Sequence, residues 1–459
     1  MSAATPMIDG LRAIVGYDYV LGGANSRFAS DASRLRARGE RARAVVCPGS
    51  PAEVASVVSW CYAHDIPMTP RGGGTGLAGG AVAVNGEVVV SMDRLNQVRS
   101  FDPLLWRIHV DAGLSTRTLR RVARENGLVF PPDPGAADQS QIGGNIATNA
   151  GGPHAFKYGS TGSWVTGLEV VLPPGDLVNL GGPNRKDVAS YDLKKLVIGS
   201  EGTLGIVTGA WLRLIPAPES SAVVLAFYPS VETGLHAVHR VLGTGEPVAA
   251  LEYLDEPTLR ITKGSFPGPM PDSPGFLVAA ELDGSSAEVA RMVPEVRQAL
   301  DEEGASHVTT LQAQSGISAL WRWRDGVSGT VSAHHNGKVS ADICVPLDML
   351  AAAINQVSEI SARHHLAACT WGHAGDGNIH ANFLVDLDDT SMVARSELAL
   401  ADLFAVTRGL GGSITGEHGI GWLKRKYLVS HLEPAVYAAH LAIKYAFDPK
   451  NLMNPGKKV

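Results

Sequence analysis

Pro70-Arg71-Gly72-Gly73-Gly74-Thr75-Gly76-Leu77-Ala78-Gly79-Gly80 is the stretch that decides the fold. Gly74, Gly76 and Gly79 formally satisfy G-x-G-x-x-G, the dinucleotide fingerprint. That fingerprint works only when a helix starts next and aims its N-terminus at the pyrophosphate. Here the chain continues Ala-Val-Ala-Val-Asn-Gly-Glu-Val-Val-Val-Ser-Met, a β-rich run broken by Asn-Gly. No helix is expected there, so the Rossmann reading fails, although Asp93 sits about where its ribose acid would. A bare glycine-rich connection is the competing reading. Five glycines between 72 and 79 cost folding entropy. Backbone N–H groups that approach a ligand phosphate explain them better.

Two further tracts repeat the theme. Ile142-Gly143-Gly144-Asn145-Ile146-Ala147-Thr148-Asn149-Ala150-Gly151-Gly152 mixes close-approach glycines with Asn and Thr hydrogen-bonding groups. Gly199-Ser200-Glu201-Gly202-Thr203-Leu204-Gly205-Ile206-Val207-Thr208 is built alike. Each alone is weak. Three such tracts in one β-rich region suggest one long, phosphate-containing ligand threaded among loops.

Further on, Gly372-His373-Ala374-Gly375-Asp376-Gly377-Asn378-Ile379-His380-Ala381-Asn382 carries a different chemistry. Asp376-Gly377 is a type I′ hairpin signal, because both residues tolerate positive φ. A two-residue turn there places His373 directly opposite His380, with Cβ atoms ~4.5–5.5 Å apart. Two imidazoles at that spacing can grip one divalent metal. Asn382 shares their face, since strand side chains alternate. Gly416-Glu417-His418-Gly419 offers Glu417 as the third ligand. Two histidines, a carboxylate and an open position make a Lewis-acid site suited to catalysis. A surface hairpin with stacked histidines is the alternative.

The bulk numbers set limits. With 459 residues the chain exceeds one ordinary core, and two domains or more are expected. Hydrophobic residues make up 45% and charged residues 18%, a soluble globular balance. A net charge of −6 without a long basic run argues against nucleic acid as a partner. Cys47, Cys61, Cys344 and Cys369 form no CxxC pair. That argues against iron–sulfur clusters, Cys-rich zinc sites and a disulfide framework, and fits a reducing compartment. No stretch reaches the ~18 apolar residues of a membrane helix. A cytoplasmic protein is expected, with peripheral membrane association left open.

Along the chain, Ser50-Pro51-Ala52-Glu53 opens a helix, with Val54, Val57, Val58 and Cys61 at helical spacing. Residues 66–93 read as strand, loop, strand, and 107–113 as a strand before a helix capped by Ser115. Short strands fill 165–215. Pro216-Ala217-Pro218 punctuates the chain. Strands and helices then alternate, including a helix carrying Trp321 to Ser328 and a strand through Asp342 to Val345. That pattern predicts an α+β domain with an antiparallel sheet. Phe-Asp-Pro-Lys-Asn-Leu-Met-Asn-Pro-Gly-Lys near the C-terminus holds three turn signals and is expected to lie back across the first domain.

The three glycine tracts, in this order, resemble the FAD domain of the vanillyl-alcohol oxidase superfamily. Gly-His-Ala-Gly-Asp-Gly-Asn-Ile-His, Thr-Gly-Glu-His-Gly-Ile-Gly and Asn-Pro-Gly-Lys resemble the C-terminal cap of its D-2-hydroxyacid dehydrogenase branch. That branch includes D-lactate dehydrogenase, the glycolate oxidase flavoprotein subunit and D-2-hydroxyglutarate dehydrogenase. The match spans about residues 40 to 459.

The resemblance implies an α+β fold: a two-part FAD-binding domain over 1–217, a substrate- and metal-binding cap with an antiparallel sheet over 218–430, and a segment, 431–459, returning to the FAD domain. It implies that Arg71, Gly72, Gly73, Gly74, Thr75, Gly76 and Leu77 cradle the FAD pyrophosphate. Asp138, Ile142, Gly143, Asn145, Thr148 and Gly151 would line the flavin and its diphosphate. Glu201, Gly202 and Ile206 would hold the adenosine side or ring edge, and Asn454 and Lys457 would close the pocket. The loop lacks the histidine that relatives use for a covalent flavin bond, which implies non-covalent FAD. His373, His380 and Glu417 match the metal ligands, for zinc or manganese. Asn382 and His418 match substrate-contacting positions. Arg324 matches the arginine that clamps the substrate carboxylate, with Ser328 four residues on. The family lysine before Cys344 is offset here: Ser340 stands two residues before Asp342, and Lys338 is the nearby lysine.

The implied chemistry is oxidation of a D-2-hydroxyacid to the 2-oxoacid. The metal activates the C2 hydroxyl, His418 takes its proton, and hydride passes to flavin N5. The electron acceptor is then external: an electron-transfer flavoprotein, a quinone or a cytochrome. A homodimer is left open. Two rivals stand beside this reading, a flavin-dependent transferase on the same fold and a non-catalytic metal- and nucleotide-binding protein.

Overall fold

The computed structural model describes residues 4–33 and 42–459. It divides into two compact units. The first holds the described residues up to Gly151, Gly159–Ala217 and Glu417–Val459. The second holds Gly152–Tyr158 and Pro218–Gly416. One boundary lies in the Pro216-Ala217-Pro218 punctuation.

The other boundary lies at 416/417 and not at 430/431, because of hydrogen bonds inside the first unit. The backbone N–H groups of Ile420 and Gly421 donate to the Glu201 carboxylate at 2.9 and 2.6 Å. Those of Trp422 and Leu423 donate to Ala78 O. Residues 417–430 therefore join 431–459 in the first unit. Gly152–Tyr158 leaves the first unit for the second because Lys157 Nζ lies 2.5 Å from Asp283 Oδ1 and Tyr158 OH lies 2.8 Å from Oδ2.

In the first unit, Val20–Gly22, Ala44–Val46, Val88–Ser91 and Met68–Arg71 form a four-stranded sheet in that order. Val88–Ser91 runs parallel to both neighbours. Ala44–Val46 and Val88–Ser91 are buried at every position, as strands covered on both faces are. Helix Pro51–Ala63 starts as read, with Ser50 Oγ accepting from Glu53 N at 3.1 Å and Val54, Val57, Val58 and Cys61 buried. No helix lies between Gly72 and Glu87, which bears out the rejection of the Rossmann reading. A five-stranded antiparallel sheet adds Val98–Asp102, Arg107–Asp111, Ile206–Arg213, Val165–Leu172 and Asp176–Gly181. Met453 bridges in parallel to Met68, so the C-terminal segment does return to this unit.

Two expectations change. Ile142–Thr148, read as loop, is a helix ended by Asn149 at φ 52°. Gly143 serves packing: a Cβ on it would stand 2.7 Å from that of Ala112. Arg425–His431 and Pro434–Phe447 are helices ahead of the turn signals, and Pro434 in the first turn was the missed start signal.

The second unit is built on one antiparallel sheet. Its strands are β1 (Ser220–Tyr228), β2 (Ala250–Asp255), β3 (Phe276–Gly284), β4 (His307–Leu311), β5 (Lys338–Cys344), β6 (Ala367–His373) and β7 (Asn378–Leu384). The order is β4-β1-β3-β2-β6-β7-β5. Helix Gln314–His334, longer than the expected 321–328, buries Ile317, Leu320, Trp323, Val327 and Val331 on a cluster with Leu254, Trp371 and Leu384. Each such side chain is worth about 1.5–3 kcal/mol when fully buried. Among the described residues, no helix is long and apolar enough to cross a membrane.

Candidate active site

The histidine hairpin differs from its two-residue reading. His380 is paired with Trp371, not with His373. The turn is a 3-10 turn, Ala374–Asp376, followed by Gly377 at φ 70°. Gly377 O accepts from Val345 N at 2.9 Å, and a Cβ on Gly377 would fall 2.1 Å from Val345 O. That packing holds the longer turn. The register moves by two residues, and an even shift keeps every side chain on its face. His373 and His380 are therefore diagonal neighbours, with ring centroids 5.2 Å apart and planes at 89°. Both are buried.

Behind His373 stands Glu252 on β2, its direct cross-strand partner. Glu252 is 1% exposed, and its Oε1 bonds His373 Nδ1. Oε2 accepts from Arg324 Nε at 2.8 Å. Arg324 Nη2 lies 2.6 Å from that same oxygen, which completes the ion pair. Burial pushes the Glu252 carboxyl up, but the charges of His373 and then Arg324 outweigh it and hold it below the usual glutamate value.

Behind His380 stands Asp342 on β5, fully buried and directly opposite it. Its Oδ1 accepts from Asn378 Nδ2 at 2.7 Å and lies 3.8 Å from His380 Nδ1. Its Oδ2 accepts from Thr415 Oγ1 and Gly416 N, each at 2.9 Å. The backbone immediately before Glu417 is thereby pinned. Sequence reasoning missed both Glu252 and Asp342. The signal was present: each is a lone acid in an otherwise apolar strand segment, Ala-Leu-Glu-Tyr-Leu and Ala-Asp-Ile-Cys.

The other cap residues fall into two groups. Lys338, Ser340 and Asp342 share one face of β5, so the two-residue offset leaves Lys338 on the site face. Its Nζ donates to Ser328 Oγ at 2.9 Å and lies 4.5 Å from the Trp371 ring centroid. Asn382 is engaged at both ends: Oδ1 accepts from Ser340 Oγ at 2.7 Å, and Nδ2 donates to His380 O at 2.8 Å. Glu417 and His418 open the returning segment of the first unit.

The first unit sorts its expected cofactor residues by accessibility. Gly72, Gly73, Gly74, Thr75 and Gly76 keep partial exposure and Leu77 is exposed, as Gly144 and Thr148 are in part. A Cβ on Gly72 would stand 3.5 Å from Gly144 Cα, so the two glycine tracts meet backbone to backbone. A Cβ on Gly144 would meet nothing within 4 Å. The nearby Gln141 Oε1 is a buried acceptor without a donor. Open glycine backbone and an orphaned acceptor fit a polar, phosphate-bearing group.

Other expected residues brace this cradle from behind. Arg71 spends its guanidinium on the carbonyls of Ala81, Arg27 and Ser30 at 3.0, 3.1 and 2.9 Å. Ile142, Gly143, Asn145, Gly151, Gly202 and Ile206 are buried. Glu201 holds the 420–421 backbone, and Asn454 Nδ2 donates to Gly80 O and Glu201 O. Lys457 bonds Thr69 Oγ1 and Asn454 Oδ1, and burial pulls its amine down to about 8 against the charge of Glu87. Asp138 lies on the surface, paired with Arg117.

Comparison with known proteins agrees with this division. Residues 42–181 match an FAD binding domain family, and residues 217–458 match the family described as FAD linked oxidases, C-terminal domain. The chain belongs to the FAD-linked oxidase family. The glycolate oxidase subunit GlcD of Bacillus subtilis (strain 168) is 36% identical to this oxidase, over 90% of this chain and 88% of the relative. The D-2-hydroxyglutarate dehydrogenase of Stutzerimonas stutzeri (strain A1501) is 34% identical over 98% of each. The D-lactate dehydrogenase of Anaerostipes hadrus is 33% identical over 88% of this chain and 87% of the relative.

Among solved structures, p-cresol methylhydroxylase with substrate bound matches with a TM-score of 0.83 at 16% identity, over 100% of this chain and 97% of that one. Alkyldihydroxyacetonephosphate synthase matches at 0.77 and 17%, over 98% of this chain and 84% of that one. At such identity the likeness is one of fold. The oxidase has the expected vanillyl-alcohol oxidase type of α+β fold, and it is an FAD-linked oxidoreductase.

Proposed function

We propose that this protein is a dehydrogenase that converts a D-2-hydroxyacid, such as D-lactate or D-2-hydroxyglutarate, to the 2-oxoacid. The observation that carries the reading is the buried His373–His380 pair, backed by carboxylates and set beside a partly buried arginine. Glycolate, D-2-hydroxyglutarate and D-lactate name the relatives that share its family, which supports the substrate class.

His373, His380 and Glu417 offer two nitrogens and one carboxylate oxygen, a donor set that suits zinc or manganese. Bound FAD, held non-covalently on the Gly72–Leu77 and Gly144–Thr148 backbone, would supply the hydride acceptor, and the cation would supply Lewis acidity. Arg324 receives the substrate carboxylate on its guanidinium, assisted by Ser328 and Lys338. Asn382 braces the strand that carries His380. His418 accepts the C2 hydroxyl proton on an imidazole nitrogen as the C2–H bond breaks and C2=O forms. Two electrons then leave the protein to an external flavoprotein, quinone or cytochrome. The transferase reading rests on the shared fold alone.

A panel of D- and L-2-hydroxyacids with dye-linked reduction, run on protein of verified FAD and metal content, tests the proposal. Dye reduction by at least one D-2-hydroxyacid and none by its L-enantiomer is expected. No reduction by any D-2-hydroxyacid overturns it.

A further inference from the structure

Glu252 has no part in the chemistry above, yet it is, with Asp342, one of two enclosed carboxylates behind the histidines. A buried carboxylate persists only when paired and hydrogen-bonded. Glu252 has two partners and gives one oxygen to each: Oε1 to His373 Nδ1, Oε2 to Arg324 Nε. Both partners are groups assigned to different tasks. In the neutral ring that a metal ligand must be, an oxygen that accepts at Nδ1 requires the proton there, which leaves Nε2 with its lone pair. The other oxygen accepts from Nε at 2.8 Å and lies 2.6 Å from Nη2, so Glu252 holds the Nε–Nη2 edge of the guanidinium and leaves Nη1 to turn toward a ligand.

We propose that Glu252 is a positioning residue that sets both the metal ligand and the substrate clamp: it fixes His373 as the Nδ1–H tautomer and orients Arg324 toward the substrate carboxylate. This rests on the roles given above to His373 and Arg324. Only a carboxylate can do both. A glutamine offers one carbonyl oxygen and one NH2, so one of the two donors would face another donor. Metal-ligating histidines are commonly held in this way by a carboxylate, and losing it costs roughly 10–100-fold in metal affinity.

The test uses Glu252→Gln, which keeps the volume, and Arg324→Met, which removes only one of the two contacts. Affinity for Zn2+ is measured in the FAD-loaded, substrate-free protein by competition with a chromophoric chelator. Histidine-selective 15N spectra report the His373 tautomer without any metal, assigned by the resonance lost in His373→Gln. Melting curves check that each variant folds.

Glu252→Gln is expected to lower Zn2+ affinity about 10–100-fold, to remove the Nδ1–H signature and to raise KM. Arg324→Met is expected to raise KM while keeping both the signature and the Zn2+ affinity. A folded Glu252→Gln that keeps both the wild-type tautomer and the wild-type KM overturns the proposal. If the wild-type protein binds no Zn2+ but the tautomer switches in Glu252→Gln, the metal reading fails while the positioning of His373 stands.

Discussion

His380 stands opposite Trp371, two residues from where a two-residue turn would set it, and still shares its sheet face with His373. The offset depends on the turn that ends at Gly377. Gly377→Ala should therefore disturb the site through the backbone alone. Its φ of 70° and the 2.1 Å approach to Val345 O leave no room for a Cβ. The left-handed conformation alone costs a non-glycine residue roughly 1–2 kcal/mol. Urea unfolding should show at least that loss, together with reduced Zn2+ affinity. A variant of wild-type stability would show that the turn relaxes freely.

His418→Ala should lower kcat by ~10²–10⁴, the usual worth of a positioned acid–base group. FAD and metal content should stay normal, because neither is assigned to His418. Steady-state kinetics with elemental analysis on the same preparation decides this. Unchanged kcat would assign the proton to another acceptor.

Lys457 is buried beside the buried Glu87, with Nζ 3.5 Å from Oε1. Lys457→Met leaves that carboxylate without its counter-charge and should destabilise by about 3–5 kcal/mol. Lys457→Met with Glu87→Gln should recover much of the loss. The wild-type amine sits at about 8 in the folded protein, below an ordinary lysine. A lowered lysine penalises the folded state while both states are protonated, below about pH 8. The penalty fades as pH rises toward the unfolded-state value of ~10.4. Relative to the double variant, the wild type should thus gain stability from pH 8 upward. Parallel stability–pH curves in chemical denaturation would contradict this.

The sequence told most about segments whose pattern is local. Ser50-Pro51-Ala52-Glu53 starts a helix through groups within one turn, and the β-rich run after the Arg71–Gly80 loop excludes a helix there. Helix Ile142–Thr148 was hidden because its Gly143-Gly144 pair looks like loop, and only packing on Ala112 explains Gly143. The hairpin was legible in parity but not in register. Face depends on odd or even position, whereas register depends on the distant Val345. Glu252 lies over 120 positions from His373 in the chain, and no periodicity links them. The exit of Gly152–Tyr158 to the second unit was equally invisible, because it is made by Asp283 and Glu281.

A D-2-hydroxyacid is proposed to reduce the bound flavin with the help of a cation held by His373, His380 and Glu417. The most direct measurement is anaerobic bleaching of the flavin band in one preparation, metal-loaded and then stripped by a chelator. FAD retention and metal content are checked each time. The account predicts rapid bleaching by a D-2-hydroxyacid in the loaded protein, none by its L-enantiomer, and loss of bleaching on stripping with recovery on metal add-back. Undiminished bleaching in protein shown to be metal-free would contradict it.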